Sequence, residues 1–174
     1  MPEERTGVVT LRGNPVTLVG AEIKTGQKAP AFTAIDNSLQ PVKLGDSGGK
    51  VLILSSVPSL DTPVCDTETR RFNQEASQLA GAEIWTISAD LSFAQKRWCA
   101  ATGVTAVKTL SDYRDHSFGQ TYGVQIKDGP LGGLNARAVF VVDKTGTVRH
   151  VEYVKDITQE PDYEAALKAA KQAV

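Results

Sequence analysis

The chain is poor in the residues from which metal and redox centres are usually built. Its 174 residues include two cysteines, two histidines and one methionine. A structural zinc site takes four ligands at paired short spacings, and Cys65, Cys99, His116 and His150 offer no such pairing. No Cys-x-x-Cys occurs, so no local dithiol of the thioredoxin type is written here. No apolar run comes near the roughly 18 residues that a membrane span needs. The longest clusters are short, such as Val51-Leu52-Ile53-Leu54. Neither sign of charge dominates: 19 Lys+Arg stand against 20 Asp+Glu, for a formal net charge of -1. That balance speaks against a dedicated nucleic-acid binder, which carries a basic excess. Met1 to Arg5 is charged, and no apolar segment follows it, so no secretory signal is seen and a cytoplasmic location is expected. Neither a membrane nor a nucleic acid is expected as a partner.

What is present is ordinary globular material, 41% hydrophobic and 22% charged. At roughly 100–200 residues per domain, residues 1–174 are read as one domain, with 1–20 as an N-terminal extension. Such a chain can bury a core without disulfide staples.

Val8 to Val19 alternates around Gly13-Asn14-Pro15 and reads as a β-hairpin, with Val9 and Leu11 facing Val16 and Leu18. Val51 to Val57 is a continuous apolar run suited to a central strand, and Pro58 ends it. Thr62 as N-cap and Pro63 at the first helical position open a helix with Phe72, Ala76, Leu79 and Ala80 on one face, closed by Gly81. Glu83 to Ala89 completes a β-α-β unit. Ser92 to Gln95 has the form of a capping box, and Gly103 closes the helix it opens. Thr105–Leu110 and Ala136–Val142 read as strands, with a short helix over Arg114–Tyr122. The turn Asp143-Lys144-Thr145-Gly146 leads to an antiparallel return over Thr147–Tyr153, and Pro161–Ala173 forms a last helix. The order implies an α/β domain with a central mixed β-sheet flanked by helices.

Cys65 falls in the first turn of its predicted helix. Unpaired N–H groups there favour a thiolate, the form that attacks. Asp61 and Asp66 oppose this unless a cation offsets them. The other reading of Cys65 is a small apolar residue filling space under the strand. Arg137 is the candidate cation. It shares a strand face with Val139 and Val141, where a guanidinium is costly unless paired. Alternatively it lies at the strand end and pairs with a surface carboxylate. On the next helix Phe93, Ala94, Trp98, Ala101 and the stem of Arg97 form the predicted core face. Cys99 would then point outward beside Gln95 and Lys96, as an exchange partner or a tolerated surface thiol. The Thr62 hydroxyl can cap the helix or hold a substrate oxygen beside Cys65, and capping is the reading preferred. His116 and His150 are read as surface or hydrogen-bonding residues, Arg70 and Arg71 as a solvated helix face, and Trp85 and Trp98 as core or interface.

The pattern Pro58-x-x-x-Thr62-x-x-Cys65 resembles the active-site motif of the peroxiredoxins. Its surroundings are similar to the bacterial thiol peroxidase branch: Arg12 to Val16, Pro58 to Cys65, Ser111 to Asp115 with Phe118-Gly119, Leu134 to Asp143, and Glu160 to Tyr163. The resemblance implies a thioredoxin-like fold and reduction of hydroperoxides without metal, flavin or other cofactor, the electron pair coming from sulfur. Carried over by position, Cys65 would be the peroxidatic cysteine, with Thr62 and Arg137 holding the peroxide and Pro58 shielding the sulfur. Cys99 would resolve the sulfenic acid as an intramolecular disulfide, after local unwinding. Thioredoxin as reductant and a homodimer are further implications. Pro63 departs from the glycine that many members carry, and no loss of function is expected from it. A redox sensor or a thiol-disulfide exchange protein on the same fold is the alternative.

Overall fold

The computed structural model describes all 174 residues. Strands β1 (Glu4–Leu11) and β2 (Asn14–Val19) form the N-terminal hairpin, which begins earlier than its apolar alternation suggests. Its turn falls on Arg12 and Gly13, at φ 51° and 83°. Two positive φ values in a two-residue loop match the right-handed twist of the strands. Then come β3 (Thr33–Ile35), β4 (Pro41–Lys43), a 3-10 turn at Leu44–Ser47, β5 (Val51–Ser56), α1 (Pro63–Ala76), β6 (Ala82–Ser88) and α2 (Ser92–Thr102). The chain continues through β7 (Lys108–Ser111), α3 (Ser117–Thr121), β8 (Gln125–Ile126), β9 (Ala138–Val142), β10 (Val148–Tyr153) and α4 (Tyr163–Ala173).

Seven strands form the main sheet in the order β10-β9-β5-β6-β7-β3-β4. β5, β6 and β7 are parallel, and β9, β10, β3 and β4 join antiparallel. The sheet is therefore mixed. The hairpin and β8 make a separate three-stranded sheet. β5 is buried at every residue, as a strand covered on both faces must be. Its side chains alternate between two cores: Leu52 and Leu54 pack with the hairpin and Phe118, while Val51 and Ile53 pack with Cys65, Phe72 and α4. β9 divides the same way, with Val139 and Val141 on the Cys65 side.

Four expectations need correction. α1 ends at Ala76, before Gly81, because the Ser77 hydroxyl donates to the Gln74 carbonyl and Leu79 turns back onto Ala76. α2 has no capping box: Leu91 is its N-cap, and Ser92 is already helical. The face of α2 is also rotated from the expected one, Trp98 alone of the predicted core residues being buried. Ser92, Gln95 and Trp98 are buried, while Phe93 is 69% exposed. The cause is polar. The ends of β6 and β7 offer a hydroxyl and a carbonyl to a side chain above them, and the Gln95 amide donates to Ser88 Oγ at 3.0 Å and to the Leu110 carbonyl at 2.8 Å. A glutamine that satisfies these groups faces inward, and Phe93 turns out. Cys99 is accordingly half-buried and does not point outward.

Candidate active site

The loop between β5 and α1 is held from below by Asp90. Its carboxylate accepts from Ser59 Oγ at 2.7 Å, from the Leu60 amide at 2.8 Å and from Ser88 Oγ at 2.7 Å. Pro58 is buried at the start of this loop. Thr62 has the extended backbone of an N-cap, and Pro63 takes the first helical position. The capping expectation for the Thr62 side chain is corrected: its hydroxyl donates to the Ser59 carbonyl at 3.0 Å, and no side chain caps α1. The first intrahelical bond runs from the Asp66 amide to the Thr62 carbonyl at 2.9 Å. The amides of Val64 and Cys65 precede it, at the end where the helix carries partial positive charge.

Cys65 is fully buried. Facing its sulfur at 3.4 Å is Nη2 of Arg137, the residue just before β9 and also buried. The strand register explains the meeting. Ser56 pairs with Ala138, so the start of β9 lies beside the exit of β5, where the chain turns toward α1. The surface-carboxylate reading of Arg137 is overturned, since its partner is the fully buried Glu68. Nη1 donates to Glu68 Oε2 at 2.5 Å, and Nε and Nη2 donate to the Ile157 carbonyl at 3.1 and 2.9 Å. Ser55 Oγ donates to the other Glu68 oxygen at 3.0 Å.

Burial and charge pull in opposite directions here. Desolvation alone would lower the Arg137 pKa, but Glu68 and then the Cys65 sulfur outweigh it and the pKa is raised, so the guanidinium stays charged. For Glu68 desolvation prevails. Its pKa rises from the usual 4.5 to about 7, although Arg137 and Ser55 pull it down. The feared acidic neighbours of Cys65 are also occupied. Asp66 accepts from Trp98 Nε1 at 3.0 Å and from Arg70 Nε at 2.9 Å, and Asp61 lies 3.8 Å from Arg97.

A family model described as Redoxin matches residues 24–167. The chain belongs to the redoxin family. A thiol peroxidase of Halalkalibacterium halodurans is 55% identical over 95% of this chain and 98% of its own length. One from Bacillus subtilis is 53% identical over the same shares. Among solved structures, a peroxiredoxin-like protein from Aquifex aeolicus is 43% identical, with a TM-score of 0.91 and coverage of 98% of each chain. A thiol peroxidase from Chromobacterium violaceum shares the fold at a TM-score of 0.86 and 19% identity, over 94% of this chain and 95% of its own. Within the family this redoxin falls among the bacterial thiol peroxidases, with a thioredoxin-like fold. It is a peroxiredoxin-type oxidoreductase, a thiol-dependent peroxidase.

In this redoxin both cysteines are free thiols with separate partners. Cys99 Sγ lies 3.5 Å from Thr109 Oγ1 and 3.9 Å from Asn37 Nδ2. Pro58, Thr62 and Cys65 follow one another along the β5–α1 junction, Arg137 meets Cys65 there, and Cys99 stands on α2 against the same core. No three His, Cys, Asp or Glu side chains are grouped to hold a metal ion. Sequence reasoning missed Glu68, Ser55, Asp90 and Ile157. Glu68 had a signal: a charge beside the stripe formed by Cys65, Thr69, Phe72 and Ala76 must be paired inside. Ile157 acts through its carbonyl and had none.

Proposed function

We propose that Cys65 attacks the hydroperoxide and that Cys99 resolves the product. The observation that carries the first step is the Arg137 guanidinium, 3.4 Å from a buried cysteine sulfur in the first turn of a helix. The Cys65 thiolate displaces the far oxygen. The S–O bond forms as O–O breaks, sulfur is oxidised, and the departing alkoxide or hydroxide takes a proton to leave as alcohol or water. Arg137 and the amides at the start of α1 can follow the negative charge from sulfur to that oxygen, and preorganised donors of this kind dominate such catalysis. The Thr62 oxygen, with its proton engaged by Ser59, can accept from the peroxide O–H. Pro58 keeps water from the sulfur.

The Cys65 sulfenic acid then meets the Cys99 thiol, forming a disulfide and one water. Disulfide geometry needs Cα atoms about 4.4–6.8 Å apart. In this reading the α2 helix at Cys99, or the first turn of α1 holding Cys65, unwinds locally to reach it, since each sulfur has its own partners in the folded state. Thioredoxin returns two electrons by exchange through a mixed disulfide. The setting is the cytoplasm, where thiols are kept reduced. A homodimer would cover exposed Leu91, Phe93 and Tyr113. The chain is read as one domain with residues 1–20 as its extension, supported by the pairing of β2 with β8.

A coupled assay with thioredoxin, its reductase and hydroperoxide tests the whole sequence. Cys65→Ser should abolish turnover. Cys99→Ser should still consume one equivalent of peroxide but stop turning over with thioredoxin. Turnover in Cys65→Ser would remove this mechanism, and undiminished turnover in Cys99→Ser would remove the resolving step. A sensor or exchange protein would fail to turn over in the unmodified chain.

A further inference from the structure

The Arg137 guanidinium donates to two acceptors besides facing the sulfur, the Glu68 carboxylate and the Ile157 backbone carbonyl. The second sets the aim of the group. Nη2, the nitrogen that faces Cys65, also donates to Ile157 at 2.9 Å, so moving that carbonyl moves the nitrogen off the sulfur. Ile157 lies between β10 and α4 in a stretch without regular structure. The Val154 amide ties the start of this stretch to the Arg137 carbonyl at 3.1 Å, and the N-terminal hairpin ties down the rest. The Thr10 amide donates to the Lys155 carbonyl at 2.8 Å, and the Ile157 amide donates back to the Thr10 carbonyl at 2.9 Å. Asp156 is the hub. Its Oδ2 accepts from Thr10 Oγ1 at 2.6 Å and from the Gly13 amide at 2.9 Å, while Oδ1 accepts from the Thr158 amide at 3.0 Å and from Thr158 Oγ1 at 2.5 Å. These bonds, led by those of Thr10 and Thr158, hold its carboxyl well below the usual carboxylate range. The hairpin lies outside residues 24–167 that match the redoxin model, yet it is two hydrogen bonds from the guanidinium.

We propose that Asp156 and Thr10 are positioning residues for Arg137, and that the N-terminal hairpin is thereby a working part of the peroxidase centre. The proposal rests on the reading that Arg137 acts on Cys65. The chain of contact is short and continuous: hairpin turn to Asp156, Asp156 to the backbone of its neighbour, Ile157 carbonyl to Nη2, Nη2 to sulfur. Nothing in it touches substrate. Its effect should therefore disappear when the guanidinium is no longer there to be aimed.

The test is the single-turnover rate of Cys65 oxidation by hydrogen peroxide. Misplacement by about 1 Å can cost about 100-fold, so Asp156→Ala and Thr10→Val should each slow it about 10-fold or more. Thr10→Ser, which keeps the hydroxyl, should restore most of the rate. Asp143→Ala is the matched control. Asp143 also accepts bonds from Thr145, Thr147 and Arg149, but in the β9–β10 turn. It should leave the rate unchanged. In an Arg137→Lys background Asp156→Ala should add nothing, since residues acting through one group are not additive. Wild-type rates in Asp156→Ala and Thr10→Val would overturn the proposal, as would an equal loss in Asp143→Ala or an undiminished effect in the Arg137→Lys background. If Asp156→Ala does not fold, the Thr10→Val and Thr10→Ser pair decides alone. A slow Arg137→Lys with a normal Asp156→Ala overturns only this inference. A wild-type rate in Arg137→Lys overturns the reading of Arg137 and this inference with it.

Discussion

Glu68 carries a carboxyl group where the helix calls for an apolar side chain, and the cost shows in its protonation. Arg137 and Ser55 face it and Glu152 adds a like charge, but burial prevails and lifts its pKa to about 7. Across the interval from 4.5 to about 7 the folded chain holds a proton that the unfolded chain releases. The stability this group contributes is therefore full at the acid end and is lost as pH rises toward 7. Glu68→Gln removes the titration. The melting temperature of the variant should vary less over that window than that of the parent, and parallel curves would contradict the assignment. Arg137 makes the complementary case. A lysine is a point charge and cannot reach Glu68, the sulfur and Ile157 with one planar fork. Arg137→Lys should slow Cys65 oxidation about 100- to 1000-fold, the loss typical of removing one preorganised donor. An unchanged rate would show that the guanidinium is structural.

At the scale of elements, α1 and α2 are joined beside the two cysteines, through Asp66 next to Cys65 and Trp98 next to Cys99. If the first turn of α1 or the Cys99 stretch of α2 unwinds before the disulfide forms, this bond resists the step. One hydrogen bond is worth about 1 kcal/mol. Asp66→Ala should then speed the sulfenate-to-disulfide step about fivefold in single turnover, and an unchanged or slower step would contradict the need for unwinding. α3 offers a test of packing. A Cβ on Gly119 would stand 3.0 Å from Asp112 Oδ2 and closer still to Asn135 Oδ1. Gly119→Ala should cost about 1–3 kcal/mol in urea unfolding. The elements themselves were largely legible in the sequence. The hairpin, the buried run at β5 and the Thr62-Pro63 helix start each carry a local signal. The face of α2 was legible only at Trp98, because Gln95 is drawn inward by a hydroxyl on β6 and a carbonyl on β7. Periodicity weighs apolarity and does not see such partners.

At the scale of the whole molecule, the site exists because β9 returns antiparallel against β5 and sets Arg137 over the start of α1. Alternation along β9 placed Arg137 on the correct face. It could not name Glu68 as its partner, since that pairing spans distant parts of the chain. Leu91, Phe93 and Tyr113 are exposed, and the proposed homodimer would cover them. Phe93→Asp should shift the sedimenting species from dimer to monomer, and a parent that already sediments as a monomer would dispose of the dimer reading. The claim at the centre of the proposed function is that Cys65 is oxidised and Cys99 captures it. The most direct measurement is the mass of the reduced protein after one equivalent of hydroperoxide, followed by peptide mapping. The expected result is a loss of about 2 Da with the Cys65 and Cys99 peptides linked. A persistent gain of about 16 Da on Cys65, or the same oxidation in Cys65→Ser, would contradict it.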